Sequence, residues 1–163
     1  STRESPIERV LPGSEGLCVS QSGNAPQAVD IHSGMDAAWY DENTPGQGFL
    51  FDVQPDPEGG NFVFVAWFTY GEDTASGQRW LTAQGPFAGS TAEIAVYETL
   101  GGSFDDPQPT ETTPVGTMTI DFSDCKHAQL GYALTDGSGA GQIDLSRLLP
   151  DASGLCQSLS GTD

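Results

Sequence analysis

Between Met35 and Leu148 the chain reads as eight short β-prone runs, each closed by a cluster of turn residues. The runs cover residues 37–41, 48–54, 61–70, 78–84, 92–100, 116–122, 129–135 and 142–148. The third is the longest and most apolar. Phe62, Phe64, Ala66, Phe68 and Tyr70 alternate in it with Val63, Val65, Trp67 and Thr69. A strand that is apolar on both faces is covered on both. One face is expected to fill an interior, and the other to meet an N-terminal arm, a second subunit or a ligand.

The links between runs set the topology. Pro55-Asp56-Pro57-Glu58-Gly59-Gly60 is a turn, and Asp136-Gly137 is a hairpin signal. Only the acidic stretch 105–114, with Pro107, Pro109 and Pro114, is long enough to read as a loop. Consecutive hairpins predict an all-β, up-and-down antiparallel meander of about eight strands, closed or nearly closed into a barrel. Such a barrel is just wide enough to be filled by side chains or to hold one small ligand. The domain reading is an irregular N-terminal arm (1–33), the barrel (34–150) and a C-terminal tail tied by a disulfide (151–163). A short helix is expected at Ser5-Pro6-Ile7-Glu8, where a capping box precedes Pro12-Gly13.

Cys18, Cys125 and Cys156 include no Cys-x-x-Cys pair, which argues for a disulfide rather than a zinc site. In an eight-strand meander the chain after strand six, the chain after strand eight and the entry to strand one share one rim. All three cysteines therefore meet there, with Cys125–Cys156 the favoured bridge and Cys18–Cys156 the alternative. Disulfide use, the start at Ser1 and the lack of any long apolar run fit an exported chain, extracellular or periplasmic, or a domain of a larger exported protein.

Five Lys and Arg against 23 Asp and Glu give a formal net charge of −18. Such a polyanion repels nucleic acid and anionic lipid. Neither nucleic-acid binding nor membrane insertion is expected. The charge would serve solubility in a salty setting, supply calcium ligands or favour a cationic partner.

Several segments together resemble a recurrent module of secreted proteobacterial proteins, often attached to exported hydrolases. They are Trp39-Tyr40 with Gly46-Gln47-Gly48-Phe49, then Trp67-Phe68-Thr69-Tyr70, Arg79-Trp80-Leu81, Gly101-Gly102-Ser103-Phe104, Asp121-Phe122-Ser123-Asp124-Cys125 and Leu145-Ser146-Arg147-Leu148. The resemblance covers residues 33–156 and implies export and an accessory role, with no chemistry. Trp39-Tyr40, Asn43-Thr44 and Arg79-Trp80-Leu81-Thr82 are also similar to the avidin and streptavidin barrel. That likeness implies architecture only, because the tryptophan set is incomplete.

No catalytic motif stands out. Ser123-Asp124-Cys125-Lys126 has Ser-x-x-Lys spacing but lies at a strand end, where the helical geometry of that site is missing. Neither His32 nor His127 has a nucleophile-elbow serine beside it, and His127 reads as a rim residue. The candidate ligand-binding residues are Trp39, Tyr40, Asn43, Trp67, Tyr70, Arg79 and Trp80, an aromatic set suited to a sugar face or a small apolar molecule. Arg79 and Arg147 are expected to pair with carboxylates or to clamp an anion. Asp105, Asp106 and Asp136 are weak calcium candidates, and no other cofactor is implied. The expected function is a non-catalytic binding or accessory module for a small molecule or glycan. The alternatives are an assembly module that self-associates and a hydrolase built on carboxylates.

Overall fold

The computed structural model describes residues 28–56, 59–71 and 77–161. The runs form eight antiparallel strands: β1 (Ala37–Tyr40), β2 (Gly48–Pro55), β3 (Asn61–Tyr70), β4 (Gln78–Phe87), β5 (Thr91–Ser103), β6 (Asp106–Phe122), β7 (His127–Leu134) and β8 (Ala140–Arg147). Each pairs with the next, and β8 returns to β1 through Trp39↔Arg147 and Tyr40↔Ser146. The fold is the expected all-β meander closed on itself, although the ring is uneven. Its short seam is β1 to β8.

Period-two alternation sorts the side chains. Trp39, Phe49, Phe51, Val53, Val63, Val65, Trp67, Leu81 and Ala83 point inward and are buried, joined from β5 to β8 by residues such as Ile94, Met118, Leu130 and Leu145. An aromatic column runs up the interior. Trp39 packs edge-on against Phe122 at 5.2 Å, and Phe51 against Phe122 at 5.6 Å. Above them Phe49 stacks on Trp67 at 5.4 Å, and Trp67 meets Tyr132 at 5.2 Å. The barrel is packed through most of its length.

One end is sealed. Residues 28–36 cross it, with the Val29 N–H donating to Phe122 O and the Ile31 N–H to Gly89 O, both at 2.9 Å. The C-terminal tail adds a helix, α1 (Gly154–Ser160). The helix backbone sits against Gly34. A Cβ on that glycine would stand 2.5 Å from Cys156 Cα, so a side chain there would block the docking. The Cys125–Cys156 disulfide, with Cα atoms 5.7 Å apart, ties α1 to the turn between β6 and β7. Cys18 and the expected helix near Ser5 lie outside the described residues.

One expectation needs correction. The stretch 105–114 is not a loop. β5 and β6 continue past the barrel as a two-stranded ribbon, paired from Tyr97↔Pro114 to Ser103↔Asp106, with Phe104 fully exposed at its tip. Neither β4 nor β7 follows the ribbon, since their pairings stop at Glu98 and Gly116. Prolines lack a backbone donor and are tolerated on such unpaired edges, so Pro107, Pro109 and Pro114 fit a strand here. The outer face of β3 is less covered than its inner one. Its outward Phe62, Phe64, Ala66 and Phe68 are only partly buried, and beside them Leu50 is 46 % and Trp80 71 % exposed. Of the N-terminal arm, the described part, residues 28–36, runs across the sealed end.

Candidate functional site

The end opposite α1 is the mouth, framed by the β1–β2 turn, the adjoining ends of β3 and β4, the ribbon base and the β7–β8 turn. A cavity of about 130 Å3 opens there, lined by Gln47, Trp67, Thr69, Arg79, Tyr132 and Ser138 among others. Trp67 and Tyr132 lie on inward faces of β3 and β7, at the top of the aromatic column. Tyr132 reaches across Gly141. A Cβ on Gly141 would stand 2.6 Å from the tyrosine hydroxyl, so glycine makes room for the ring.

Polar groups fix the rim. Gln47 accepts through Oε1 from Trp67 Nε1 at 3.2 Å and from Thr69 Oγ1 at 2.7 Å. Those two bonds settle which end of the amide is oxygen and leave its NH2 as a donor group on the lining. Tyr70 donates its hydroxyl to Pro45 O at 2.9 Å, which pins the β1–β2 turn over the rim. Arg79 crosses the mouth as a strut. Its Nε donates to Glu98 Oε1 and its Nη1 to Ser138 Oγ, at 2.7 and 2.9 Å, while Nη2 donates to Asp136. Hydrogen bonds from the Ser138 N–H and hydroxyl, with the Arg79 contact, hold the Asp136 carboxyl down at about 2. The hydrogen bond to Glu98 keeps the Arg79 guanidinium above its ordinary value.

The mouth gathers Trp67, Tyr70 and Arg79 from the residues nominated by sequence. It does not gather the others. Trp39 lies at the sealed end, 1 % exposed, with Nε1 donating to Met35 O at 3.1 Å. Trp80 points outward, edge-on to Phe68 at 5.6 Å. Tyr40 is on the outer face of β1, since neighbouring Trp39 points in. Asn43 is exposed in the β1–β2 turn, its N–H bonded to Asp41 Oδ1. Asp136 is engaged by Arg79 and by the Ser138 N–H, and Asp105 and Asp106 are exposed at the ribbon tip. Among the described residues no group of three or more His, Cys, Asp or Glu is placed to hold a metal ion.

No protein-family model, curated protein or solved structure matches this chain. The site is therefore read from its own geometry.

Sequence reasoning passed over Gln47, Thr69, Glu98, Tyr132 and Ser138, each unremarkable alone. The usable signal was the inward parity of Tyr132 with Leu130 and Leu134. The two arginines also divide. Arg79 pairs with carboxylates as expected. Arg147 does not: it donates to the carbonyls of Cys125 and Gly34, each at 2.7 Å, because it lies inside the sealed end where backbone acceptors converge.

Two histidine contacts look like catalytic fragments. His127 Nδ1 bonds Asp124 at 2.9 Å, with both side chains more than half exposed in the β6–β7 turn. His32 Nε2 lies 2.9 Å from Ser160 Oγ. Here His32 Nδ1 accepts the Gly34 N–H at 3.0 Å, so the ring proton belongs on Nε2 and is given to Ser160. Ser160 in turn donates to Cys156 O at 2.7 Å. The ring is in the wrong tautomer to take a proton from the serine, and the contact works as a latch for α1.

Proposed function

We propose that this domain is an exported, non-catalytic binding module whose ligand site is the barrel mouth. The observation that carries the reading is the cavity walled by Trp67 and Tyr132 at the open end of a barrel otherwise filled and sealed. Ligand sites favour concave, largely aromatic linings with a few converging polar groups. At about 130 Å3 the cavity is small beside typical sites of about 300–1,000 Å3. It suits one ring of a small molecule or a terminal sugar. The disulfide supports an oxidising compartment, and the sequence resemblance supports export and an accessory role.

A second reading has its own observation. Phe68 braces Trp80 at 85°, and Trp80 is 71 % exposed, so the indole is presented on the outer face. That is a platform on which a neutral glycan would stack. NMR titration of the intact chain with neutral oligosaccharides and with indole separates the two. The mouth reading expects shifts at the Trp67 indole, abolished by Trp67→Ala and indifferent to Trp80→Ala. Shifts confined to Trp80 overturn it in favour of the outer platform.

A further inference from the structure

We infer that the mouth prefers ligands whose ring bears an amine or another cationic group and rejects anions, with Glu98 and Asp136 rather than Arg79 setting that preference. This deepens the proposal that the mouth is a ligand site and rests on it.

A lone arginine in a cavity is ordinarily an anion clamp. Arg79 is not free to act as one. All three guanidinium nitrogens are already engaged, by Glu98, Ser138 and Asp136. The side chains of Arg79, Glu98 and Asp136 are 14, 19 and 27 % exposed, so the cluster is largely shielded from water. One positive and two negative charges leave it net negative. A ligand carboxylate would have to displace a carboxylate already in place.

The surroundings carry the same sign. Asp41 begins the β1–β2 turn, and Asp105 and Asp106 lie at the tip of the ribbon that extends beyond the mouth, whereas Glu42 is turned away to accept from Ser146 Oγ at 3.0 Å. Among the described residues the other two Lys and Arg, Lys126 and Arg147, are both at the sealed end. A net charge of −18 adds a field that concentrates cations and dilutes anions. The walls favour cations too, since the faces of Trp67 and Tyr132 are negative in their quadrupole. Arg79 does not cancel these effects, because its charge is already spent on two carboxylates.

The test is an NMR titration of the intact chain with benzylamine, benzyl alcohol and benzoate, followed at the Trp67 indole. The expected order is amine, then alcohol, then benzoate, with roughly tenfold between the extremes at low salt. The gap should narrow in added NaCl. Asp136→Asn keeps the side-chain oxygen that accepts from Ser138 N–H while removing one charge. It should strengthen benzoate and weaken benzylamine, and Glu98→Gln should act in the same direction. Benzoate binding to the unsubstituted chain as tightly as benzylamine, or an unchanged gap in Asp136→Asn, overturns the charge preference alone. If none of the three probes shifts Trp67, the mouth reading itself is overturned and this inference with it.

Discussion

Arg147 lies over the indole of Trp39, its Cζ 4.8 Å from the ring centroid, and the two residues pair across the β1–β8 seam. Arg147 is 4 % exposed. Burial pushes it below its ordinary value, but arginine stays charged in proteins. Among the described residues no carboxylate reaches salt-bridge distance. The charge is balanced by carbonyls of Gly34 and Cys125 and by the indole face. One side chain thus joins the entry segment, the β6–β7 turn and the last strand. Arg147→Met should strand two buried carbonyls and cost about 3 kcal/mol in urea unfolding. Arg147→Lys should fall between, because an ammonium is a point charge and not a planar fork. A Met variant within about 1 kcal/mol of the parent would remove this role.

The disulfide closes a sequence separation of 31 residues. Loop-closure entropy for that length corresponds to about 3–4 kcal/mol. Reduction, or Cys125→Ser with Cys156→Ser, should lower stability by about that much and free α1 first. Hydrogen exchange at the Gln157 amide, which bonds Ser153 O at 2.9 Å, reports the helix directly. Equal protection of Gln157 in the reduced and oxidised protein would show that the bridge does not hold α1.

The α1 latch should weaken on mild acidification. His32 is held below its usual value of 6.5, first by burial. A proton on Nδ1 would also face the Gly34 N–H that this nitrogen now accepts. With the folded value depressed, His32 contributes fully above about 6.5, and that contribution is lost as pH falls through the lower folded value. Asp36 runs the other way. Burial raises its value from 3.8, so its effect enters at lower pH and favours the fold on acidification. Gln157 exchange should therefore speed up as pH drops below 6.5, after correction for intrinsic rates. His32→Gln should flatten that dependence. A flat profile in the parent chain would rule the latch out as pH-sensitive.

Much of this fold was legible because local signals and tertiary demands agree. The run Asn61–Tyr70 emerged with its boundaries intact, since apolar residues on both faces and turn residues at both ends leave no other register. Counting hairpins brought the three cysteines to one rim, with Cys125–Cys156 favoured over Cys18–Cys156, and the favoured bridge is the one present. The ribbon was not legible. The stretch 105–114 carries acids and prolines that look like loop, and only pairing with β5 makes most of it strand. The mouth was legible in part. Trp39, Trp67 and Trp80 looked like one aromatic set, yet height along the barrel and strand parity send them to the sealed end, the mouth and the outer face. Alternation along β4 sets Trp80 opposite the buried Leu81. Height depends on strand tilt and register, which single-strand patterns do not encode.

Gly141→Ala tests how the mouth is shaped without touching its polar rim. The new methyl would stand 2.6 Å from the Tyr132 hydroxyl and 2.9 Å from its Cζ. The ring must swing, and with it the 5.2 Å contact to Trp67. The clash is with the far end of a side chain, so the barrel should still fold, at a cost of about 1–2 kcal/mol. Ring-probe affinity should fall about tenfold, a loss of about 1.4 kcal/mol. Unaltered Trp67 and Tyr132 resonances in this variant would show that the ring has other room.

Salt should stabilise the chain. A formal charge of −18 packed into one small domain repels itself, and mobile ions screen that repulsion. Screening also weakens attractive pairs, but few are at stake. Among the described residues the Arg–carboxylate contacts are the two made by Arg79, joined by the exposed His127–Asp124 pair. Repulsion loses more than attraction does, so Tm should rise with NaCl. The Debye length is about 8 Å at 0.15 M and about 3 Å at 1 M, so most of the gain should come at the low end. A rise that begins only near 1 M would instead reflect general salt effects on apolar surface. A flat or falling Tm would mean that repulsion among the carboxylates is not what limits stability.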